Sequence, residues 1–324
     1  MALWASKKTC GDLSSLAVGD TCKESWSTLR PLLRPTQNAV GYSWVFRTLL
    51  HDMGSKSDTQ DTMDEKVVPV VLGDGVGYLL DHHHLLSSLD LSGHHSVEVS
   101  LYVSCDFSGR GWPYERLWHE LASRGFAYLY GRARGAPDSL PTPISPRALP
   151  TTIGFREGNV TMMDDRWRAL SSFSRKIESC QGCDGGAMNK NHACRAYNRV
   201  CAASGASIPF FEYRWAYFYD VAATFNSSLW PTEAAAHAFG TAYGALHSPT
   251  PSEPAKDVDD WEAAAAMLVP LARGASAGTY RLPDMGASMA GPLPGYRDGM
   301  SPFPHDDPTC SMPSCGGSGA RWPP

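Results

Sequence analysis

The residues best suited to chemistry are an aspartate and three histidines in a row, Asp81, His82, His83 and His84. They directly follow Val76 to Leu80, which is predicted to be a strand, and they open a segment of helical character. The first N–H groups of a helix have no intrahelical partner and carry the positive end of its dipole. We therefore predict a strand-to-helix turn that binds phosphate.

Several roles fit these four side chains. Asp81 is expected to cap the helix, to orient an imidazole or to hold a divalent cation. Neighbouring helical residues differ in direction by about 100°, so at most two of the histidines can serve one ligand. One histidine would then be a general base, or His83 would join Asp81 on a catalytic Mg²⁺ or Mn²⁺ ion. The alternative is that Asp81 is only a cap and that the histidines are packed or solvated.

Other candidates for the site are spread along the chain. Arg34 and Arg168 could clamp phosphate oxygens, and Glu212 could complete a Mg²⁺ site as a second carboxylate. Thr36 and Gln37 are further candidates for phosphate binding. Structural alternatives exist for the charged residues, since arginines also form surface charges or ion pairs, and Glu212 could satisfy a buried arginine.

A sheet and several helices must position the turn. Val67 to Leu72 predicts a buried strand, and Ser96 to Val103, where apolar residues alternate, predicts a half-buried one. Thr36 precedes a stretch with apolar residues at helical spacing, which predicts that it is the N-cap of a helix. Residues 51–66 are polar and predict a loop. Further helices are predicted over residues 113–123, 162–177, 210–218 and 258–272.

The composition excludes some classes of protein. The chain has 324 residues, a formal net charge of −5 and 43% hydrophobic residues. This charge argues against a generally basic nucleic-acid coat protein, and the longest apolar stretch, 263–272, is too short to cross a bilayer, so no membrane partner is expected. Residues 110–175 nevertheless contain ten arginines, no lysine and six acids. This local positive charge favours a groove for nucleic acid.

The chain contains nine cysteines, and four of them cluster. The four are Cys180, Cys183, Cys194 and Cys201. Their surroundings are rich in glycine and asparagine and lack apolar periodicity, so crosslinks or a metal must hold this stretch. Two disulfides are the preferred interpretation, and a zinc site, with His192 as a substitute ligand, is the alternative. Cys105 lies in a strand-like run and is expected to be a small buried hydrophobic residue.

The sequence does not determine the cellular compartment of the protein. Disulfides and two Asn-x-Ser/Thr sequons, at Asn159 and Asn226, suggest a secretory compartment. The first 19 residues, however, contain no apolar core typical of a signal peptide.

Separated blocks of the chain resemble the ParB/sulfiredoxin superfamily, in particular its ParB-like nuclease branch. The blocks are Leu33-Arg34-Pro35-Thr36-Gln37 with Ala39-Val40-Gly41, the strand Val67 to Leu72, Leu80-Asp81-His82-His83-His84-Leu85, Asp165 to Leu170, Pro209 to Ala216, and Leu293 to Tyr296. Trp167 stands where the family has tyrosine, and the insert from Cys180 to Cys201 lies outside the family's pattern.

The resemblance implies an α+β fold, a small mixed sheet with flanking helices. The turn at Asp81 occupies the place where relatives bind nucleotide or DNA phosphates. We divide the chain into a core over residues 1–109, a helical extension with the cysteine-rich insert over 110–225, and a region rich in Ala, Pro and Gly over 226–324. The last of these is expected to contain one helix and a disordered tail.

The function predicted is that of a nuclease, which acts on phosphodiesters at the Asp-His-His-His turn and has nucleic acid or nucleotide as its partner. One alternative is a nucleotide-dependent phosphotransferase or nucleotide hydrolase. Another is a binding module without catalysis. Sulfiredoxin chemistry is excluded, because it needs a cysteine in the phosphate turn, where this chain has histidines.

Overall fold

The structure of the chain, a computed structural model, describes most of the first 181 residues and several later segments. The described ranges are 9–73, 75–124, 126–132, 141–154, 162–181, 213, 216–217, 219–220, 230–249 and 258–276. Side chains are described in these ranges except at 175–181 and 272–276.

A five-stranded mixed sheet forms the centre of the N-terminal part, with the strand order β1-β6-β4-β5-β2. The central strands β4 and β6 are parallel, β5 is antiparallel to β4, and the two outer strands are β1 and β2. Two small sheets, β3-β9 and β7-β8, lie outside it. The strands are β1 (Thr21–Ser25), β2 (Leu33–Arg34), β3 (Ala39–Val40), β4 (Val67–Gly73), β5 (Val76–Leu79), β6 (Glu98–Asp106), β7 (Tyr130–Gly131), β8 (Thr142–Pro143) and β9 (Met163–Asp164).

Eight helices are described beside these sheets. They are α1 (Trp26–Leu29), α2 (Tyr42–Asp52), α3 (Lys56–Asp64), α4 (His83–Ser92), α5 (Tyr114–Ser123), α6 (Arg166–Gln181), α7 (Glu233–Ala245) and α8 (Val258–Ser276). Helix α2 packs on α4 and α6, and α6 packs on α8. The predicted α+β class, a small mixed sheet with flanking helices, is confirmed. None of the described helices has the length and hydropathy to cross a membrane.

The two central strands are buried on both faces. Strand β4 is rich in valine, and only its first residue, Val67, is partly exposed. A strand covered on both sides has a continuous apolar sequence, as β4 does. Strand β6 was predicted to be half-buried because its apolar residues alternate, but Leu101 to Cys105 are all buried, Ser104 included.

Helix α3 was not predicted, since residues 51–66 looked like a polar loop. The Ser55 hydroxyl accepts a hydrogen bond from the Asp58 N–H at 3.2 Å, which caps the helix. Only Thr59 and Met63, four residues apart, are buried on its inner face. Two buried positions in nine residues leave too weak a period to recognise in the sequence.

The predicted N-cap at Thr36 is wrong. Helix α2 begins at Tyr42, with Gly41 as its N-cap, and residues before it form strand β3 rather than the first helical turns. Strand β3 pairs in parallel with β9, over 120 residues further along the chain. The backbone groups that a helix would have used are therefore taken by a partner distant in sequence.

A second core, rich in aromatic residues, lies between α6, α7 and α8. Trp167, Phe173 and Trp261 are fully buried in it, and Trp167 stacks on Tyr243 at a centroid distance of 4.4 Å. The aromatic stretch predicted as a core helix over 210–218 contributes to it: Tyr213, Ala216 and Tyr217 are helical and buried. The rest of that stretch lies outside the described residues.

Cysteines occur in disulfides at two places in the described chain. Cys10 bonds to Cys22 and ties the segment before β1 to the sheet, and both residues are buried. Cys105 is buried, as expected, but it too is disulfide-bonded rather than a simple hydrophobic residue. The predicted cluster is not described: Cys180 contributes only its backbone, at the end of α6, and Cys183, Cys194 and Cys201 lie outside the described ranges.

At position 41, where α2 packs against α6, only glycine fits. A Cβ at this position would lie 2.5 Å from the Ala169 backbone. We expect Gly41→Ala to lower the free energy of unfolding by about 1–3 kcal/mol, the usual cost of overpacking. Urea denaturation measures this change.

The matched control is Gly240→Ala in α7, where an added Cβ meets nothing within 4 Å. This helical glycine should tolerate alanine or gain up to about 1 kcal/mol. Equal stability of Gly41→Ala and the wild type would contradict the packing described.

Candidate functional site

The predicted turn lies between β5 and α4, one residue later than expected. Helix α4 begins at His83, and its N-cap residue is His82. The Asp81 carboxylate does not cap the helix; it accepts a hydrogen bond from the His82 N–H at 2.6 Å. The His82 side chain makes no capping hydrogen bond. The predicted strand-to-helix turn is thus present, with Asp81 exposed beside it.

His82 has an unusual backbone conformation. Its φ is 66° and its ψ is 20°, in the left-handed region, and it is the only non-glycine residue of the described chain with positive φ. This conformation costs an L-residue about 1–2 kcal/mol. Such strain concentrates at functional sites, which makes His82 a candidate for function.

His83 is buried and holds the backbone of the preceding loop. Its Nε2 accepts a hydrogen bond from the Thr36 N–H at 3.2 Å. Burial lowers the pKa of the His83 imidazole to about 3, so the ring is neutral at physiological pH. The Thr36 hydroxyl donates to the Leu79 carbonyl, so its proton is directed into the fold.

His84 is also buried and binds the other end of the same loop. Its Nε2 accepts a hydrogen bond from the Gly41 N–H at 2.8 Å. A neutral ring that accepts at Nε2 carries its proton on Nδ1. The Arg168 guanidinium lies 3.4 Å from this Nδ1. Because both groups are then donors, we interpret this approach as a packing contact that makes the site more positive.

The segment between the two histidine contacts, residues 36–41, is held along its length. The Thr36 carbonyl accepts from the Tyr128 N–H at 2.8 Å, and the Val40 carbonyl accepts from the Asp165 N–H at 2.9 Å. The Ala39 carbonyl accepts from the Tyr213 hydroxyl at 2.6 Å. Segment 36–41 is therefore a fixed platform beneath the turn.

Buried charges lie behind this platform. The Arg168 guanidinium stands 5.2 Å from the centre of the Tyr213 ring and donates to the Ser172 hydroxyl at 2.8 Å. Beside it, Arg132 pairs with Asp220 at 2.8 Å. Burial raises the pKa of the Tyr213 phenol, which keeps it a hydrogen-bond donor. Arg168 thus adds positive charge next to His84 from within the fold.

The other predicted site residues lie around the turn in different ways. The Gln37 amide is buried and donates to the Ala39 carbonyl at 2.6 Å. Arg34 is half-buried and donates to the carbonyls of Pro31 and Leu33, at 2.8 and 3.0 Å. Glu212 lies outside the described residues. The structure thus brings Thr36, His83, His84 and Arg168 together, whereas the described contacts of Arg34 are to carbonyls near it in the chain.

A metal site is not apparent in the described part of the chain. No group of three or more His, Cys, Asp or Glu side chains is arranged there to hold an ion. His83 does not fit the predicted role of ligand, because its Nε2 accepts from Thr36 and its Nδ1 carries the remaining proton. Mg²⁺ or Mn²⁺ binding at Asp81 stays a prediction.

Comparison with known proteins assigns the part of the chain that contains this site. Residues 30–184 match the family model described as "Putative ParB-like nuclease". The match confirms the predicted resemblance. The matched range includes the platform 36–41, the turn at Asp81 and Arg168. It ends before Tyr213, whose hydroxyl binds the platform from outside the matched range.

Other comparisons add less. The crystal structure of protein Atu1540 from Agrobacterium tumefaciens is similar at 22% identity, over 71% of this chain and 96% of that one, with a TM-score of 0.41. A search of curated proteins gave no match.

Several residues that shape this candidate site were not predicted as such. Gly41 appeared only as part of a motif, and its need for close packing on Ala169 could not be seen in the sequence. Tyr128 and Tyr213, stacked at a centroid distance of 3.9 Å, support the platform from one side. The aromatic run around Tyr213 was the one available signal.

The neutral state of His83 predicts a pH dependence of stability. The unfolded chain binds a proton at this residue below about pH 6.5, whereas the folded chain does so only near pH 3. The His83 contribution should therefore decrease as the pH falls through this window, by about 1.4 kcal/mol per pH unit at most. Urea denaturation of the wild type and His83→Gln, in which the amide oxygen replaces Nε2 as acceptor, measures it.

The stability difference between wild type and His83→Gln should shrink by about 2 kcal/mol from pH 7.5 to pH 5.0. Comparing the two proteins removes the opposite effect of Asp164, whose pKa burial raises to about 6. The exposed His51, changed to Gln, is the control. A difference that is constant with pH would show that His83 is not a buried neutral acceptor.

Proposed function

We propose that this chain hydrolyses phosphodiester bonds of nucleic acid at the start of α4. The match of residues 30–184 to the ParB-like nuclease family carries this proposal. The strand-to-helix turn adds to it, since the start of a helix carries the positive end of its dipole and favours an anion. Helix α4 has ten residues, long enough for its dipole to contribute.

The substrate phosphate would lie against the first N–H groups of α4. These groups follow His82 directly, and the donors at the start of a helix point along its axis toward a ligand. Arg168 adds positive charge from behind, where the low dielectric makes it more effective. This charge would stabilise the transition state as negative charge grows on the phosphoryl oxygens.

The three histidines divide into two roles in this proposal. His83 and His84 are positioning residues, because their Nε2 atoms are occupied by the platform. His82 is only half-buried and stands at the helix start, so it is the histidine proposed as general base. It would take a proton from the attacking water as the new P–O bond forms, and the leaving oxygen would receive a proton from solvent or from an acid not yet assigned.

Asp81 is the carboxylate proposed to assist at this turn. It is exposed, adjacent to His82 and bonded to the His82 backbone. It would orient the His82 ring or, with a second ligand, bind Mg²⁺ or Mn²⁺. EDTA distinguishes the two roles, because it abolishes activity only if Asp81 binds a metal ion.

The test is turnover on single- and double-stranded DNA and RNA, with ATP and CTP in parallel, in Mg²⁺, Mn²⁺ or EDTA. We expect wild-type cleavage of at least one nucleic acid. We also expect a loss of about 10²–10⁴-fold in kcat for His82→Ala, the usual range for a general base. His51→Ala, an exposed histidine at the end of α2, should retain wild-type activity.

Each other outcome contradicts the proposal in a different way. Turnover of ATP or CTP without cleavage of any nucleic acid would indicate the nucleotide hydrolase. Binding without turnover would indicate a binding module. Equal activity of His82→Ala and the wild type would move the base away from the turn.

A further inference from the structure

A cluster of arginines on aromatic rings lies at the far end of the sheet from the turn. We call it the arginine surface, and it consists of Phe107, Arg110, Trp112, Arg116 and Arg124. Strand β6 leads into it and is parallel to β4, whereas β5, which leads into the turn, is antiparallel to β4. Asp106, at the end of β6, pairs with Leu72, which lies two residues along β4 from Val70, the partner of Leu79; this separation is about 7 Å along the strands. The arginine surface is therefore separate from the proposed catalytic turn.

The aromatic rings hold the guanidinium groups in place without occupying the N–H donors of these groups. Arg110 lies 4.7 Å and Arg116 5.1 Å from the centre of the Trp112 ring. Arg110 and Arg124 each lie 5.1 Å from the centre of the Phe107 ring. A cation held over a ring face keeps the N–H donors in its plane available. Stacking thus preorganises these side chains for a ligand that takes several charge-assisted hydrogen bonds.

The charges of two of these arginines are not neutralised locally. Glu120 pairs with Arg124 at 2.6 Å, so Arg124 mainly supports the Phe107 ring. Arg110 and Arg116 are exposed, and neither forms an ion pair within the described ranges. The nearby Asp106 accepts a hydrogen bond from the Ser108 N–H at 2.8 Å. The positive charge offered to a ligand therefore comes from Arg110 and Arg116.

The spacing of the cluster fits a nucleic-acid backbone. Arg110 and Arg116 are at most about 10 Å apart, because each lies within 5.1 Å of the same ring centre. A nucleic-acid strand carries one phosphate per about 3.4 Å of axis, so this span faces two or three successive phosphates. Guanidinium planes and aromatic rings also stack on bases, but only on bases that are not enclosed in a duplex.

We propose that the arginine surface binds single-stranded nucleic acid, with Arg110 and Arg116 on successive phosphates. This rests on the proposed function only in sharing its substrate class, because binding here does not require cleavage. It would deliver a strand to the turn from a surface about two or more nucleotides away.

The test measures fluorescence anisotropy of a labelled 20-nucleotide single strand, in EDTA, at salt concentrations from 50 to 200 mM. The full chain carries His82→Ala so that cleavage cannot interfere. Adding Arg110→Gln/Arg116→Gln should weaken binding about tenfold and reduce the slope of log K against log salt by about 1.4, since each phosphate that is no longer neutralised accounts for about 0.7. The control pair Lys56→Gln/Lys66→Gln removes the same charge at the opposite end of the sheet and should change Kd less than about twofold.

Three results would overturn the proposal. The arginine pair and the lysine pair could weaken binding equally, which would mean that only net charge matters. The 20-mer could bind as tightly after Arg110→Gln/Arg116→Gln as before. Finally, Arg110→Gln/Arg116→Gln could weaken the binding of a duplex or of phosphatidylserine vesicles, tested in parallel, without weakening the binding of the single strand. If wild type binds as predicted but no substrate is cleaved, the proposed function fails while the arginine surface stands.

Discussion

Two buried neutral imidazoles connect the start of α4 to the loop that precedes α2. His83 accepts from the Thr36 N–H and His84 accepts from the Gly41 N–H, so both ends of segment 36–41 depend on them. A backbone N–H buried without a partner costs about 1–3 kcal/mol, so the loop and the turn must be built together. The same segment pairs with β9 and receives the Tyr213 hydroxyl, and it therefore fixes the sheet, α6 and the aromatic core relative to the turn.

This constraint separates the histidines that shape the turn from the one that can react. An imidazole whose Nε2 accepts a backbone hydrogen bond cannot take a proton there without losing that bond. His82, forced into the left-handed conformation between Asp81 and α4, is outside this arrangement. The strain at His82 is maintained because its neighbours on the helix side are anchored, as expected where the surrounding structure determines a rare conformation.

Sequence patterns predicted those features of the structure that depend on residues close together in the chain. The valine-rich β4, the strand-to-helix turn and the ParB-like resemblance all follow from short stretches of sequence and are confirmed. The role of Thr36 was not predictable in this way, because its partners Leu79, His83 and Tyr128 lie 43 to 92 residues away. The sequence left open which of the three histidines serves the site, whereas burial distinguishes His82 from His83 and His84. Gly41 shows the same limit, since only the approach of Ala169 reveals why it must be glycine.

The protonation of the two buried imidazoles is the most direct test of this account. Long-range ¹H–¹⁵N correlation spectra of protein labelled at its 11 histidines report which ring nitrogen carries the proton. His83→Gln and His84→Gln assign the signals. At pH 7 both rings should be neutral with the proton on Nδ1 and a bare Nε2, and His83 should remain so at pH 5. A proton on Nε2 of either ring, or an imidazolium at pH 7, would contradict the hydrogen bonds on which the site is built.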